Sequence, residues 1–314
     1  MPLFDVRPAN APLLMSAMRA VALADGDESP KERALLEAAR DALDLTDPLD
    51  AFAPDHLTDA ALAALDAGER ERLLQAMLLM AIMDGAGSPE EATLVSSFAA
   101  RLGVSEPRVA NLEALARGRH AFMWLDLTRK GYPASELLAT AREEGLAGVL
   151  RTFGPIVGLG KSADIVRKYN DLGKLAEGTL GREYWRFITQ NELGFPGEGP
   201  VGERGVWHDM IHVVGEYPVT PAGEAEVVAF MAGFRKEDPF FWVFTSVLQF
   251  QVGLRISPFS KGIAGQIDPR SYLAHHRRGA RVSCDLSRDW DFRADLEVPV
   301  AELRRRFTVP PLPV

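Results

Sequence analysis

An internal repeat is the sequence feature that most constrains the fold of this chain. The segment ALADGDESPKERALLEAARDAL begins at Ala22, and the similar segment AIMDGAGSPEEATLVSSFAARL begins at Ala81, an offset of 59 residues. In each copy an apolar run precedes an Asp-Gly turn, and a second run with apolar residues at helical spacing follows it. Each copy therefore predicts a helix, a turn and a second helix.

The start of the second helix carries the same signals in both copies. A serine is the predicted N-cap, a proline fills the first helical position, and a glutamate at the third position completes a capping box. These residues are Ser29, Pro30 and Glu32 in the first copy and Ser88, Pro89 and Glu91 in the second. The run LLQAMLLMAIM at 73–83 is apolar nearly throughout, which predicts a buried helix.

Charge is distributed unevenly along the 314 residues. Residues 1–120 contain 20 acidic and 11 basic side chains, whereas residues 121–314 contain 24 of each, so the whole net charge of −9 lies in the first part. An acidic domain binds phosphate backbones poorly, and we predict no nucleic-acid partner. The change in composition also indicates a boundary near residue 120.

The rest of the chain favours helices as well. No segment after residue 161 alternates between apolar and polar residues as a strand would, and no regular hairpin signals occur. We predict an all-α fold with two helical domains, 1–118 and 150–314, joined by a helical bridge at 119–149 in which Ser135 caps a helix at 136–144. The single cysteine, Cys284, and the lack of a signal or membrane-spanning segment predict a cytoplasmic protein.

Two histidines give the clearest chemical signal. His208 and His212 are four residues apart, so they share one face of a helix and both imidazoles can reach one ion. Glu224 lies in the first turn of the next predicted helix, which a helix–turn–helix can bring back to the histidines. Such ligands suit zinc best, with iron, cobalt or manganese as alternatives.

Other interpretations of these residues remain open. The histidines can be a chance surface pair, and Glu224 can simply complement a helix dipole. Asp209 lies about 100° around the helix from His208, so it could bind the ion from the flank or support a ligand from behind. A zinc protease is disfavoured, because an aspartate at this position is one methylene too short to act as the general base.

Two further groups have both a structural and a functional interpretation. An apolar stretch after Pro239 is either protein core or a wall for a prenyl chain, and a basic group is either solvated or faces lipid phosphates. The apolar residues are Phe240, Phe241, Trp242, Val243, Phe244, Val247, Leu248 and Phe250. The basic residues are His275, His276, Arg277, Arg278 and Arg281.

The first part of the chain, about residues 10–118, resembles the TerB-like (tellurite-resistance B) family of helical bundles, which carry two such D-G-x-x-x-x-E motifs. The resemblance implies metal binding by the motif acids, here Asp25, Asp27, Glu32, Asp84 and Glu91. The second copy has Ala86 where the first copy has Asp27, so the metal site implied for the second copy is weaker. The structural alternative is that Asp-Gly forms the turn and the glutamate caps the helix.

The second part, from about 150 to 310, resembles the Coq-four family of ubiquinone (coenzyme Q) biosynthesis proteins. His208, Asp209, His212 and Glu224 match its signature, H-D-x-x-H-x(11)-E. The segment LAEGTLGREYWRFITQNEL (175–193) resembles another family segment, with Ala176 where proline is usual. Further matches are Arg278, Gly279, Asp289 and Trp290, and at the C-terminal end Pro299, Leu303 and Arg304.

The Coq-four resemblance implies an all-helical fold, a divalent metal held by the four signature residues, and His208 and Asp209 as catalytic residues. It implies oxidative decarboxylation of a polyprenylated hydroxybenzoate ring at the inner-membrane surface, alongside other quinone-biosynthesis enzymes. The alternatives are a non-catalytic lipid-binding scaffold with a structural metal and a stress-response metal-binding module. A homodimer is compatible with the sequence.

Overall fold

The structure is a computed structural model that describes residues 3–26, 28–85, 87–121, 123, 126–127, 163–198, 205–256 and 262–313. These residues form helices and turns, and among them no strand occurs apart from an isolated bridge between Thr179 and Pro299. The predicted all-α fold class is confirmed. Asp27 and the predicted cap at Ser135 lie outside the described residues, as does most of the predicted bridge.

The α-helices are α1 (Ala11–Ala22), α2 (Pro30–Ala42), α3 (Asp59–Ala63), α4 (Ala67–Ala81), α5 (Pro89–Leu102), α6 (Pro107–Ala116), α7 (Ala163–Asn170), α8 (Leu180–Gln190), α9 (Val206–Gly215), α10 (Pro221–Phe234), α11 (Pro239–Phe250), α12 (Pro269–Ala280) and α13 (Val300–Arg306). Short 3-10 helices occur at Pro8–Asn10, Leu49–Ala51, Pro54–His56, Asp171–Lys174 and Phe292–Asp295.

The chain divides into two compact units. Unit 1 contains Met1–Leu127 and Val228–Ala280, and unit 2 contains Thr128–Val227 and Arg281–Leu312. The predicted boundaries placed residues 228–280 with the C-terminal part, whereas within unit 1 helix α11 packs against α4 and α12 packs against α2. The part of α4 from residue 73 onward is buried on every side, and such a segment needs neighbours all around it. The residues at which independently folding domains begin and end remain a prediction.

The repeat has the local structure that its sequence predicts. The Ser29 hydroxyl accepts a hydrogen bond from the Glu32 amide at 3.2 Å, and the Glu32 carboxylate accepts one from the Ser29 amide at 2.8 Å. Ser88 and Glu91 form the same reciprocal pair at 3.1 and 2.7 Å. The run 73–83 is buried throughout. These two capping boxes and the buried helix α4 are therefore confirmed.

The acids of the two repeats lie near one another in unit 1. Glu32 and Glu91 are both buried, and Oε1 of Glu91 has no hydrogen-bond partner among the described residues. Burial, together with the charges of Asp84 and Glu32, raises the pKa of Glu91 to about 8 against the opposing effect of the Ser88 hydrogen bonds. Burial also raises the pKa of Glu32. Glu91 therefore keeps a proton in the neutral range.

The basic group of the sequence does not form a phosphate-facing surface. All but Arg281 lie on α12, where His275, His276 and Arg278 are buried and only Arg277 is exposed. Burial, reinforced by the charge of Arg72, lowers the pKa of His276 to about 3, so its ring is neutral. Both earlier interpretations, a solvated loop and a lipid-facing group, are wrong for the three buried residues.

The apolar stretch belongs to the core of unit 1. Six of its eight residues are at most 4% exposed, while Phe241 and Trp242 are partly exposed. The buried members are Phe240, Val243, Phe244, Val247, Leu248 and Phe250. Their burial favours the core interpretation over a wall for a prenyl chain. No helix in the described ranges combines the length and apolar character that a membrane crossing requires.

Two glycines allow α10 and α12 to approach backbone to backbone within unit 1. A Cβ atom added at Gly279 would overlap the carbonyl oxygen of Phe230, and one added at Gly233 would overlap that of His276. Because the obstructing atoms are backbone, neither helix can yield by a rotamer change.

We expect Gly279→Ala to lower the free energy of unfolding by about 3 kcal/mol, since the overlap outweighs the better helix propensity of alanine. Urea titration measures the change. Gly68→Ala is the control, because its Cβ meets only Asp66 Oδ1 at 3.4 Å. That variant should be neutral or more stable by up to about 1 kcal/mol. Equal stability of the two variants would contradict the close crossing.

We expect the stability of the protein to fall as pH rises from about 4.5 to about 8, because folded Glu91 holds a proton that the unfolded chain releases. The slope for one such group is up to about 1.4 kcal/mol per pH unit. Glu91→Gln should flatten this fall, as measured by unfolding at several pH values. Glu90→Gln, at an exposed neighbouring position, should retain it. Parallel profiles for Glu91→Gln and wild type would contradict the assignment.

Candidate metal centre

Within unit 2, helix α9 and the first turn of α10 bring three potential metal ligands together. Helix α9 carries His208 and His212 on one face, and Glu224 lies in the first turn of α10. One ligand atom from each of the three lies within 4.8 Å of the others. The distance from His212 Nε2 to Glu224 Oε1 is 3.3 Å, and that from His208 Nε2 to Glu224 Oε2 is 3.9 Å. The helix–turn–helix thus places Glu224 against both histidines.

The turn after α9 fixes the orientation of His212. Its Nδ1 donates to the backbone carbonyl of Tyr217 at 3.1 Å, and the Tyr217 amide donates back to the His212 carbonyl at 3.0 Å. Glu216 makes this return possible by adopting a left-handed conformation with φ of 63°. Because Nδ1 donates to a carbonyl, the Nε2 atom of the neutral ring presents a lone pair towards Glu224.

The spacing of the group fits a bound cation. His212 is 2% exposed, and its Nε2 has no hydrogen-bond partner among the described residues. A lone pair facing a carboxylate oxygen is unfavourable unless a proton or a cation lies between them. Bonds of 2.0–2.1 Å in tetrahedral geometry separate two ligand atoms by about 3.3 Å, which matches the His212–Glu224 distance. The residues present therefore suit a divalent metal ion.

Asp209 does not join the three-residue group. Its carboxylate lies 3.7 Å from Nδ1 of His208, whereas the Nε2 atom of that ring is the one nearer Glu224. A carboxylate behind a histidine holds the proton on the far nitrogen and orients the near nitrogen towards an ion. Of the two positions considered for Asp209 from the sequence, this geometry favours support of a ligand.

Charges within the group couple its protonation states. Burial lowers the pKa of His208, but Asp209 and Glu224 outweigh this effect and leave the pKa above its usual value. Burial raises the pKa of Glu224, yet His212 and His208 bring it below its usual value. Glu224 is therefore ionised at neutral pH. A metal ion and a proton compete for the histidine nitrogens beside it.

Helix α8 forms an aromatic wall beside α9. The Phe187 ring lies 5.4 Å from that of His212, measured between centroids, and the two histidine rings lie 4.7 Å apart. Tyr184, one turn earlier on α8, is completely buried. These contacts restrict water on one side of the histidines and strengthen the electrostatic interactions there.

Arg304 is a supporting residue whose role the sequence did not reveal. Its guanidinium donates to the carbonyl of Val214 at 2.9 Å and to that of Val213 at 3.1 Å, and it pairs with Glu216 at 3.0 Å. The arginine thereby satisfies the last carbonyls of α9. The sequence indicated Arg304 only as a match to a family's C-terminal end, and no spacing rule links it to the histidines.

Comparison with known proteins adds no relative. No protein-family model matches the chain, and a search among curated proteins finds no match. The resemblances to the Coq-four and TerB-like families therefore depend on the sequence motifs alone.

The His208 group is the only three-ligand cluster within the described ranges. The described repeat acids Asp25, Glu32, Asp84 and Glu91 do not bring three ligand atoms equally close. Cys284, the single cysteine of the sequence, is partly buried. Among the described residues, the candidate metal site therefore lies in unit 2.

We expect purified wild-type protein to bind about one divalent ion at this group, since two imidazoles and a carboxylate suffice for such a site. His212→Ala should lose the ion, which elemental analysis after dialysis measures. His120→Ala, at an exposed position, is the matched control and should retain it. Full occupancy in His212→Ala would show that the ion binds elsewhere.

Proposed function

We propose that this chain is a ubiquinone-biosynthesis protein that carries out metal-dependent oxidative decarboxylation of a polyprenylated hydroxybenzoate ring. The supporting observation is that His208, His212 and Glu224 of the H-D-x-x-H-x(11)-E motif converge on one point. The motif suggests the reaction. A metal-dependent reaction requires that the metal ligands lie close together, and these three residues do.

The proposed reaction replaces the ring carboxylate with a hydroxyl group. Carbon dioxide leaves, and the ring carbon gains one oxygen atom, which is a two-electron oxidation. We propose dioxygen as the oxidant: it takes up the two electrons and two protons and leaves as hydrogen peroxide, while water supplies the oxygen atom of the new hydroxyl group. A bound divalent ion would supply positive charge that stabilises the carboxylate and phenolate oxygens of the ring.

The residues of this chain have distinct roles in the proposal. His208, His212 and Glu224 hold the ion, and Asp209 keeps the proton on Nδ1 of His208 so that Nε2 can act as a ligand. Phe187 and the other aromatic side chains of α8 exclude water beside His212. Zinc fits this donor set best, and iron, cobalt or manganese are alternatives.

The alternative function is a lipid-binding scaffold that organises other quinone enzymes and contains a structural metal. Structural zinc sites have four protein ligands, whereas catalytic sites have three and leave one position for water or substrate. Among the described residues the group has three ligands, with Asp209 placed behind His208. This count favours an enzyme over a scaffold. The stress-response module gains no comparable support from the repeat acids.

The proposed substrate determines where the protein works. A ring that carries a polyprenyl chain resides in a bilayer, so we propose that the protein acts from the cytoplasmic side at the surface of the inner membrane. Its partners would be the quinone precursor, the membrane surface and neighbouring quinone enzymes, and a homodimer is a further proposal.

Asp209→Asn distinguishes a catalytic function from a scaffold function, because it keeps the shape of the side chain but removes the charge behind His208. In a strain that lacks its own ring-decarboxylating step, wild type should restore quinone, as measured in lipid extracts, and Asp209→Asn should not. Asp164→Asn, at an exposed position of unit 2, should restore it. Immunoblots confirm equal protein levels. If Asp209→Asn restores quinone equally well, the scaffold function is favoured.

A further inference from the structure

The hydroxyl group of Tyr184 is a buried donor for which the described part of the chain provides no acceptor. Tyr184 is 0% exposed, and its oxygen has no hydrogen-bond partner among the described residues. By contrast, the hydroxyl oxygen of Tyr272, which is also buried, lies 2.6 Å from Oγ of Ser246 and forms a hydrogen bond with it. An unpaired buried hydroxyl is unfavourable, and a phenylalanine would fill the same space without that disadvantage. The Tyr184 hydroxyl therefore has an unused capacity to donate a hydrogen bond.

The position of Tyr184 places it at the candidate metal centre. Helix α8 packs against α9, and Phe187 on α8 contacts the ring of His212. Tyr184 precedes Phe187 by three residues, so the two aromatic rings lie on one face of α8, on successive turns. Tyr184 therefore shares the face of α8 whose Phe187 contacts His212. The negative charge of Asp209 acts on the Tyr184 hydroxyl.

The environment keeps Tyr184 protonated. Burial raises its pKa well above the usual value, and the charge of Asp209 adds to the effect. The hydroxyl is therefore a hydrogen-bond donor at every pH at which the protein works. This donor needs an acceptor. The carboxylate of Asp209 is not that acceptor, because it lies beside Nδ1 of His208. An anionic oxygen entering the site is the acceptor that would suit this donor best.

We propose that Tyr184 donates a hydrogen bond to an anionic oxygen of the aromatic acid that binds at the His208–His212–Glu224 centre. The inference rests on the proposed function, since it assigns a binding residue for that substrate class. An aromatic ring beside Phe187 would present its carboxylate or phenolate oxygen both to the ion and to this hydroxyl. Tyr184 is then a determinant of ring orientation rather than a ligand of the ion.

Tyr184→Phe tests the proposal in the full-length protein loaded with Co²⁺, whose visible absorption responds to a new ligand. The probe is 3-geranyl-4-hydroxybenzoate, titrated into wild type and variant. We expect the affinity for the probe to fall about tenfold in Tyr184→Phe, the usual effect of losing a hydrogen bond to a charged group. The affinity for Co²⁺ should stay unchanged, and the melting temperature should be equal or higher.

Tyr272→Phe is the control, because its buried hydroxyl has a partner inside unit 1. It should lower the melting temperature and leave the affinity for the probe unchanged, the opposite of Tyr184→Phe. An unchanged affinity in Tyr184→Phe would overturn the assignment of Tyr184. If Co²⁺-loaded wild type does not respond to the probe, the substrate class of the proposed function is wrong. Failure of wild type to bind Co²⁺ at His208 and His212 would instead overturn the proposed function.

Discussion

The reciprocal hydrogen bonds between His212 and Tyr217 are the interaction on which the candidate site depends. They close the end of α9, and the same contact that terminates the helix fixes the ring of a ligand and directs its Nε2 towards Glu224. The left-handed backbone of Glu216 makes the closure possible. The end of α9 and the orientation of the His212 ring are thus determined by one local structure, so a change in one alters the other.

The sequence predicted the parts of the site that depend on local spacing. Residues four apart on a helix share a face, and a helix start at Thr220 and Pro221 places Glu224 in the first turn, so the meeting of His208, His212 and Glu224 followed from short-range rules. The unpaired hydroxyl of Tyr184 and the bonds of Arg304 to the end of α9 did not follow. Both depend on which helices pack together, and single-sequence periodicity does not encode that choice.

The same division applies to unit 1. Capping boxes at Ser29 and Ser88 are formed by residues three apart, and they were predictable. The burial of His276 and Arg278 was not, because composition shows that residues are basic but not that a close crossing at Gly233 and Gly279 encloses their helix. The packing of α11 on α4 likewise could not be inferred from the distribution of charge, since apolar contacts carry no charge signal.

The bonds of Arg304 have a consequence for the order in which the site is assembled. All three ligands lie between His208 and Glu224, so bringing them together closes only a short loop and costs little entropy. Arg304 lies 90 residues after Val214, whose carbonyl it binds. During synthesis from the N-terminus, the ligands leave the ribosome long before the residue that secures the end of α9. The three candidate ligands can therefore come together in a nascent chain before the C-terminal helix that secures the end of α9 has been synthesised.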